Sequence, residues 1–207
     1  MELIHNCLTE EQRLQLVKSE VYTNIEMGDY RFWEGWWKSD PKDQIEETLM
    51  RLWKGKIDER KYESGGIEYW VNRITGEHHG QWHQDIVETT DDVNVYGKYY
   101  VPGDKSMVYY PYIHELKGGY LELADLEEPV SKADFRIWLR KLDPINVERV
   151  KPRQNMAVLY NSSRVHRVAP VYSGRRDALA STVWHNTPET FKHKPGVNPN
   201  DDRHDEN

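Results

Sequence analysis

A histidine and an aspartate lie two positions apart near the middle of the chain, at His83 and Asp85. Side chains at positions i and i+2 of a β-strand leave the same face, so these two can reach one metal ion together. Two ligands hold a metal weakly, and a third must come from elsewhere in the chain. The best candidate is His166, which lies much later in the sequence between apolar alternating residues.

Two histidines and one carboxylate with open coordination positions form the ligand set of non-haem Fe(II) sites. On this interpretation His83, Asp85 and His166 are both the metal ligands and the catalytic residues. A zinc hydrolase is an alternative, although zinc is more often bound by His/His/His or His/His/Glu sets. His78 and His79 keep it open, because they can complete another metal site. The non-metal alternatives are a hydrogen-bonded pair on a surface strand and a buried histidine with a hydrogen-bond partner.

A basic residue follows His166 beyond a turn at Ser173-Gly174. A buried Arg176 would need an anionic partner, and its planar fork suits a carboxylate. Alternation then places Ala178, Ala180, Thr182 and Trp184 on the face of Arg176. The two alanines leave room for a ligand such as a carboxylate bound by Arg176, the Thr182 hydroxyl can donate a hydrogen bond to it, and Trp184 can cover the site. Arg175 competes for the same role, and a solvated cation at a turn is the plain alternative for either arginine.

Two tyrosines lie on a predicted strand at 107–114 and can meet the same carboxylate. Tyr110 and Tyr112 are two positions apart, so they are predicted to share a strand face. A phenol on that face can donate a hydrogen bond to the anion that Arg176 binds. We expect Tyr112 to be the one that does so.

The composition limits the class of protein. With 207 residues, a net charge of −7 and 30% charged residues, the chain suits one globular domain and argues against a nucleic-acid partner. The single cysteine, Cys7, excludes an internal disulfide and every cysteine-based zinc site. No apolar run approaches the ~20 residues of a membrane span and no signal-peptide pattern opens the chain, so we expect a cytoplasmic protein without a membrane partner.

The N-terminal part, up to about residue 60, is predicted to be helical. Thr9-Glu-Glu-Gln12 is a capping box, and apolar residues follow it at spacings of three and four. Asp40-Pro41 predicts the start of a second helix, which Gly55 ends. The aromatic run 32–37 fits neither the helical nor the strand period, and we expect it to be a loop packed onto the body.

From residue 67 onward, apolar and polar residues alternate over about eight short segments separated by glycine, proline and asparagine, which predicts β-strands. The polar segment 91–104 interrupts them, and we interpret it as a flap that brings Tyr99 and Tyr100 to a substrate. A short helix is predicted over 131–142.

Helices followed by many short strands predict a mainly β fold with flanking helices, a double-stranded β-helix (jelly roll) supported by N-terminal helices. We expect one domain over 1–186, with helical support in 1–60 and the barrel in 67–186. The proline- and charge-rich segment 187–207 is predicted to be a disordered tail. An α/β sheet is disfavoured, because the central stretch has too few helices between strands.

Together these residues resemble the 2-oxoglutarate- and Fe(II)-dependent oxygenases, specifically the prolyl-4-hydroxylase-like branch, over roughly 67–186. His83-x-Asp85 looks like the first two iron ligands of that family. Gly118-Gly119-Tyr-Leu-Glu-Leu123 is similar to its Gly-Gly-x-Leu turn and strand, which implies that Leu121 lies at the cosubstrate.

The resemblance continues in the C-terminal strands. His166-Arg-Val-Ala-Pro170 with Gly174-x-Arg176 looks like the distal ligand strand and the basic residue for the C5 carboxylate of 2-oxoglutarate. Thr182-Val-Trp184 resembles the segment that closes this pocket. The stretch between Arg176 and Trp184 is two residues longer than usual, which preserves strand parity but weakens the choice between the two arginines.

The resemblance implies an Fe(II) centre with 2-oxoglutarate and O2 as cosubstrates and ascorbate as a candidate reductant. It implies hydroxylation of an unactivated C–H bond with release of succinate and CO2. The substrate would be a peptide, a protein or a small molecule, with a prolyl or another amino-acid side chain as the favoured target. Trp184, Tyr99 and Tyr100 are the candidate substrate contacts. The oligomeric state is left open.

A jelly-roll module that binds a sugar-like ligand is the non-enzymatic alternative. It would explain the eight tryptophans and 13 tyrosines, but not an ordered His-x-Asp, distal histidine and arginine. Metal content and succinate release separate the three hypotheses. Iron with 2-oxoglutarate turnover supports the oxygenase, zinc without turnover supports the hydrolase, and neither supports the binding module.

Overall fold

The computed structural model describes residues 1–76, 80–88, 100–125, 140 and 146–192. Several predicted features lie outside the described residues: His78 and His79, Tyr99 and most of the proposed flap, the helix over 131–142 apart from residue 140, and the tail beyond residue 192. Of Tyr100 only the backbone is described.

The described residues form eleven strands and four α-helices. The strands are β1 (Glu2–His5), β2 (Arg31–Trp33), β3 (Gly66–Thr75), β4 (Ile86–Glu88), β5 (Tyr100–Pro102), β6 (Lys105–Gly118), β7 (Leu121–Leu123), β8 (Glu148–Val150), β9 (Met156–Asn161), β10 (His166–Val168) and β11 (Val171–Trp184). The helices are α1 (Glu10–Lys18), α2 (Glu20–Asn24), α3 (Gln44–Trp53) and α4 (Glu189–Lys192), with a 3-10 helix at Glu59–Tyr62.

The N-terminal helices begin at side chains that satisfy free backbone amides. The Thr9 hydroxyl accepts from the amide of Gln12, whose side chain accepts from the amide of Thr9, so the predicted capping box of α1 is confirmed. The predicted start of α3 was wrong. Asp43, not Asp40, accepts from the first amides of that helix. Gly55 follows the end of α3 at a φ of +78°, which agrees with the predicted stop.

Two antiparallel sheets build the body. The larger has the strand order β1-β9-β6-β11-β3-β2 and the smaller the order β10-β7-β8, while β4 and β5 form a separate pair. The mainly β jelly roll with N-terminal helices is therefore confirmed. The loop prediction for 32–37 was wrong at its start, because residues 31–33 pair with β3 as β2.

The two faces of the larger sheet bury different apolar clusters. Its outer face packs on the helices through an outer cluster that includes Leu16, Tyr22, Ile45, Leu49, Trp53, Ile67, Tyr69, Val71, Tyr109, Leu179 and Val183. Its inner face packs on the smaller sheet through an inner cluster that includes Trp70, Val108, Tyr110, Leu121, Leu123, Val150, Val158, Tyr160, Ala178 and Ala180. Burial of each large side chain contributes about 1.5–3 kcal/mol.

The alternation of β11 follows the sequence prediction. Leu179 and Val183 point into the outer cluster, and Ala178 and Ala180 point into the inner one. Arg176 has the same parity as the two alanines, so it also faces the space between the sheets.

None of the helices in the described ranges has the length and hydropathy that a membrane crossing requires.

Candidate metal and cosubstrate site

The three predicted metal ligands come together between the sheets. The possible ligand atoms of His83, Asp85 and His166 all lie within 4.8 Å of one another. Asp85 Oδ1 is 3.9 Å from His83 Nε2 and 3.7 Å from His166 Nε2. These separations match the space that one coordinated cation occupies.

Backbone hydrogen bonds place the two histidines side by side. The amide of His83 donates to the carbonyl of His166 at 3.0 Å, and the amide of His166 donates back at 2.8 Å. We predicted a strand through residues 81–85, but only His83 forms a β-bridge there. Asp85 is held separately, by its amide donating to Ser162 at 3.2 Å. The two side chains nevertheless converge on His166.

Each histidine uses one ring nitrogen for orientation. Nδ1 lies 2.8 Å from the carbonyl of Gln81 in His83 and 2.9 Å from the carbonyl of Arg164 in His166. A carbonyl only accepts, so Nδ1 carries the proton and Nε2 presents its lone pair toward Asp85. Burial and then the neighbouring His83 lower the pKa of His166, which favours the neutral imidazole that binds metals.

Two hydroxyl groups orient the carboxylate. Asp85 Oδ2 accepts from Ser106 at 2.6 Å and from Thr182 at 3.3 Å, and the two hydroxyls are 2.9 Å apart. Oδ1 is therefore the oxygen left for a cation. Sequence reasoning missed Ser106, because its position opposite Thr182 depends on the register of β6 against β11.

The contact of Thr182 differs from the predicted one. We expected its hydroxyl to share a carboxylate with Arg176, but it contacts Asp85 instead. A strand rises about 3.3 Å per residue, so six positions separate the two residues by about 20 Å. The prediction that Thr182 and Arg176 lie on the same face of β11 was correct. They are too far apart along the strand to bind the same carboxylate.

Arg176 is buried with two unpaired donors. It is 1% exposed, and its Nη2 donates to the Tyr110 hydroxyl at 3.3 Å. Its guanidinium carbon lies 5.0 Å from the centre of the Tyr110 ring. Nε and Nη1 have no hydrogen-bond partner within the described part of the chain. A buried cation with free donors is costly unless it meets an anion, so these donors fit a carboxylate.

Tyr110, and not Tyr112 as predicted, is the tyrosine that contacts Arg176. Leu179 pairs with Tyr109 and Asp177 pairs with Tyr112, so Tyr110 and Pro111 together oppose the single residue Ala178. This β-bulge reverses the parity of β6 and turns Tyr112 to the outer side.

Arg175 lies on that outer side as well. It donates to Asp177 at 2.8 and 2.7 Å, and the ring of Tyr112 lies 5.1 Å from its guanidinium carbon. The side chain of Arg175 is 44% exposed, as expected of a solvated cation, and it also forms an ion pair with the buried carboxylate of Asp177.

Leu121 and Trp184, the remaining predicted contacts, are both buried. Leu121 lies in the inner cluster with Tyr110. Trp184 donates from Nε1 to Glu68 Oε2 at 2.9 Å. Burial, followed by the charge of Asp85, raises the pKa of Glu68 to about 8. Sequence reasoning did not single out Glu68, which only its pairing with Thr182 brings to the site.

The sequence pattern of the 2OG-Fe(II) oxygenase superfamily matches residues 69–186, which is more than half of the chain. The chain belongs to this superfamily. The enzyme is therefore a 2-oxoglutarate-dependent oxygenase with Fe(II) as its cofactor, as the resemblance implied. The zinc hydrolase and the binding module are not favoured. A search of curated proteins finds no match.

Several solved structures share the fold. The viral collagen prolyl hydroxylase vCPH of Paramecium Bursaria Chlorella virus-1, in complex with 2-oxoglutarate, is 13% identical with a TM-score of 0.53, covering 88% of this chain and 93% of its own. A prolyl-4-hydroxylase of Pseudomonas putida is 15% identical with a TM-score of 0.54, at 87% and 82% coverage. Iron-bound HygX of Streptomyces hygroscopicus is 13% identical with a TM-score of 0.56, at 91% and 82% coverage.

The chemistry of the donor groups fits this cofactor and this cosubstrate. Two neutral imidazole nitrogens and one carboxylate oxygen are the ligand set of non-haem Fe(II) oxygenases, and they leave positions open. The unpaired donors of Arg176 fit one end of a dicarboxylate. The side chain of His83 is 52% exposed and that of His166 is 6% exposed, so the ligand group opens to solvent on the His83 side.

Proposed function

We propose that the oxygenase hydroxylates an unactivated C–H bond of an amino-acid side chain, in a peptide or in a free amino acid, and releases succinate and CO2. In this proposal His83, Asp85 and His166 hold Fe(II), while Arg176 and Tyr110 bind the distal carboxylate of 2-oxoglutarate.

The convergence of the three side chains carries the proposal. Their ligand atoms lie within 4.8 Å of one another, and each side chain has its other polar atom occupied by a neighbour. Such outer contacts fix ring orientation and ligand basicity in metal sites. A surface pair or a lone buried histidine would not require this arrangement.

The protein's own part in the reaction is positioning. When bound, Fe(II) supplies the chemistry that couples oxidation of 2-oxoglutarate to oxidation of the substrate by O2. The carbonyls of Gln81 and Arg164 hold the imidazole protons at Nδ1, and Ser106 and Thr182 hold the carboxylate of Asp85. Ala178 and Ala180 share the strand face of Arg176 and lie buried in the inner cluster.

A prolyl target is the favoured form of the substrate. Two structures with the same fold are a collagen prolyl hydroxylase and a prolyl-4-hydroxylase, and they support the choice of peptidyl proline. Other amino-acid side chains remain within the proposal, because fold alone does not define a substrate.

Succinate formation tests the metal assignment. The wild-type enzyme, supplied with Fe(II), 2-oxoglutarate and O2, should form succinate and add one oxygen atom to a member of a panel of proline-containing peptides and free amino acids. His166→Ala should abolish both products, since two ligands hold the ion too weakly. His5→Ala, at an exposed histidine, is the matched control and should retain activity. Full activity in His166→Ala would refute the assignment.

A further inference from the structure

Glu68 is a carboxylate beside the metal ligands that the proposed reaction does not use. It pairs across β3 and β11 with Thr182, whose hydroxyl contacts Asp85. Directly opposed residues on one sheet face have Cβ atoms about 4.5–5.5 Å apart. Glu68 therefore stands on the inner face of the larger sheet, next to the group that orients the metal-binding carboxylate.

The described part of the chain gives Glu68 one polar partner. Trp184 donates to Oε2, while Oε1 accepts no hydrogen bond and no described cation pairs with the carboxylate. The remaining electrostatic neighbour is Asp85, which has the same charge sign. Glu68 is half-buried, and a cation bound at Oε1 would stabilise its ionised form.

Besides Trp184, further aromatic side chains lie on the same side of the sheet as this carboxylate. Trp70 is two positions from Glu68 on the same face of β3, and the ring of Tyr30 lies 5.1 Å from the ring of Trp70. Burial, and then the charges of Glu68 and Asp85, raise the pKa of Tyr30. That hydroxyl makes no hydrogen bond within the described ranges. Aromatic faces attract organic cations through their quadrupoles.

We propose that Glu68, with Tyr30, Trp70 and Trp184, binds a protonated nitrogen of the substrate, an ammonium or a guanidinium group. The inference rests on the proposed function and narrows its substrate class to amino acids or peptides with a cationic nitrogen near the carbon that is oxidised. Iron held by His83, Asp85 and His166 would offset the charge of Asp85 and leave Glu68 as a carboxylate without a described counter-charge.

Pairs of compounds that differ by one positive charge test the inference. The probes are acetyl-lysine amide with acetyl-norleucine amide, acetyl-arginine amide with acetyl-citrulline amide, and proline with acetyl-proline. Each is titrated calorimetrically into the anaerobic, full-length enzyme loaded with Fe(II) and 2-oxoglutarate. In at least one pair the cationic member should bind about 10- to 100-fold more tightly, as expected for a hydrogen-bonded charge. The pairs also distinguish side-chain ammonium, guanidinium and imino-acid nitrogen.

Two variants test whether Glu68 causes the preference for the cationic compound. Glu68→Gln should abolish the preference, and because its amide oxygen can still accept from Trp184, the fold should be kept, as thermal unfolding would check. Glu63→Gln, at an exposed position, should keep the preference. Equal binding within every pair, no binding of any probe, or a preference that survives in Glu68→Gln would overturn the inference.

The titration requires no turnover, so the two proposals fail separately. Absence of succinate in an enzyme that discriminates charge would count against the proposed reaction alone. Succinate formation without charge discrimination would count against Glu68 alone.

Discussion

At the scale of single residues, the side chains in this site divide their polar atoms between orientation and binding. Nδ1 of each histidine donates to a backbone carbonyl, and Oδ2 of Asp85 accepts from two hydroxyls. Nη2 of Arg176 donates to the Tyr110 hydroxyl, while Nε and Nη1 have no partner among the described residues. The unused atoms define where an ion and a carboxylate would lie.

The two adjacent arginines should respond differently to truncation. Arg176→Ala removes a charge-assisted pair from a desolvated pocket, which typically costs about 2–5 kcal/mol, so the KM for 2-oxoglutarate should rise roughly 30-fold or more. Arg175→Ala should leave that KM unchanged and lower the free energy of unfolding by about 1–3 kcal/mol, because Asp177 is left buried and unpaired. Steady-state kinetics and urea unfolding measure the two effects. A KM increase in Arg175→Ala alone would reverse the assignment.

The raised pKa of Glu68 gives a pH-dependent stability in the metal-free enzyme. The folded carboxyl keeps its proton up to a pKa of about 8, whereas the unfolded one loses it near 4.5. Between these values the unfolded chain binds fewer protons than the folded one, so stability falls as pH rises. Glu68→Gln should therefore match the wild type near pH 4 and become progressively more stable relative to it toward pH 8. Urea unfolding of both proteins across this range measures the difference. A constant difference would contradict the shift.

At the scale of elements, the sequence pattern predicted periodicity well and register poorly. The alternation of β11 placed Arg176, Ala178 and Ala180 on the inner face, because a strand buried on both sides still has two distinct faces. The bulge at Tyr110 and Pro111 was not predictable, since an extra residue in β6 is visible only when β6 is aligned with β11. Ser106 and Glu68 were missed for the same reason, because each reaches the site through its cross-strand partner.

The start of α3 is a second feature that the local sequence pattern predicted incorrectly. Asp40-Pro41 has the composition of a helix start, but the side chain of Asp43 accepts from the amides of Ile45 and Glu46. Asp43→Ala should lower the free energy of unfolding by about 1 kcal/mol, as loss of an N-cap typically does. Asp40→Ala is the control and should change it by less than about 0.5 kcal/mol. Chemical denaturation measures both, and the reverse order would restore the sequence-based assignment.

At the scale of the whole molecule, the fold separates support from chemistry. Helices α1, α2 and α3 pack on the outer face of the larger sheet, and the metal ligands, Arg176 and Glu68 lie on the side that faces the smaller sheet. The family could be predicted from the sequence because its motifs are short and local. The division of the chain into one domain over 1–186 stays a prediction, as does the proposed flap.

The most direct test of the metal centre is the visible charge-transfer absorption that forms when 2-oxoglutarate chelates Fe(II) without O2. The wild-type enzyme and His5→Ala should develop this absorption on addition of 2-oxoglutarate. His83→Ala, Asp85→Ala and His166→Ala should not, because none of them retains the three ligands. An unchanged absorption in any of these three variants, or its absence in the iron-loaded wild type, would contradict the account.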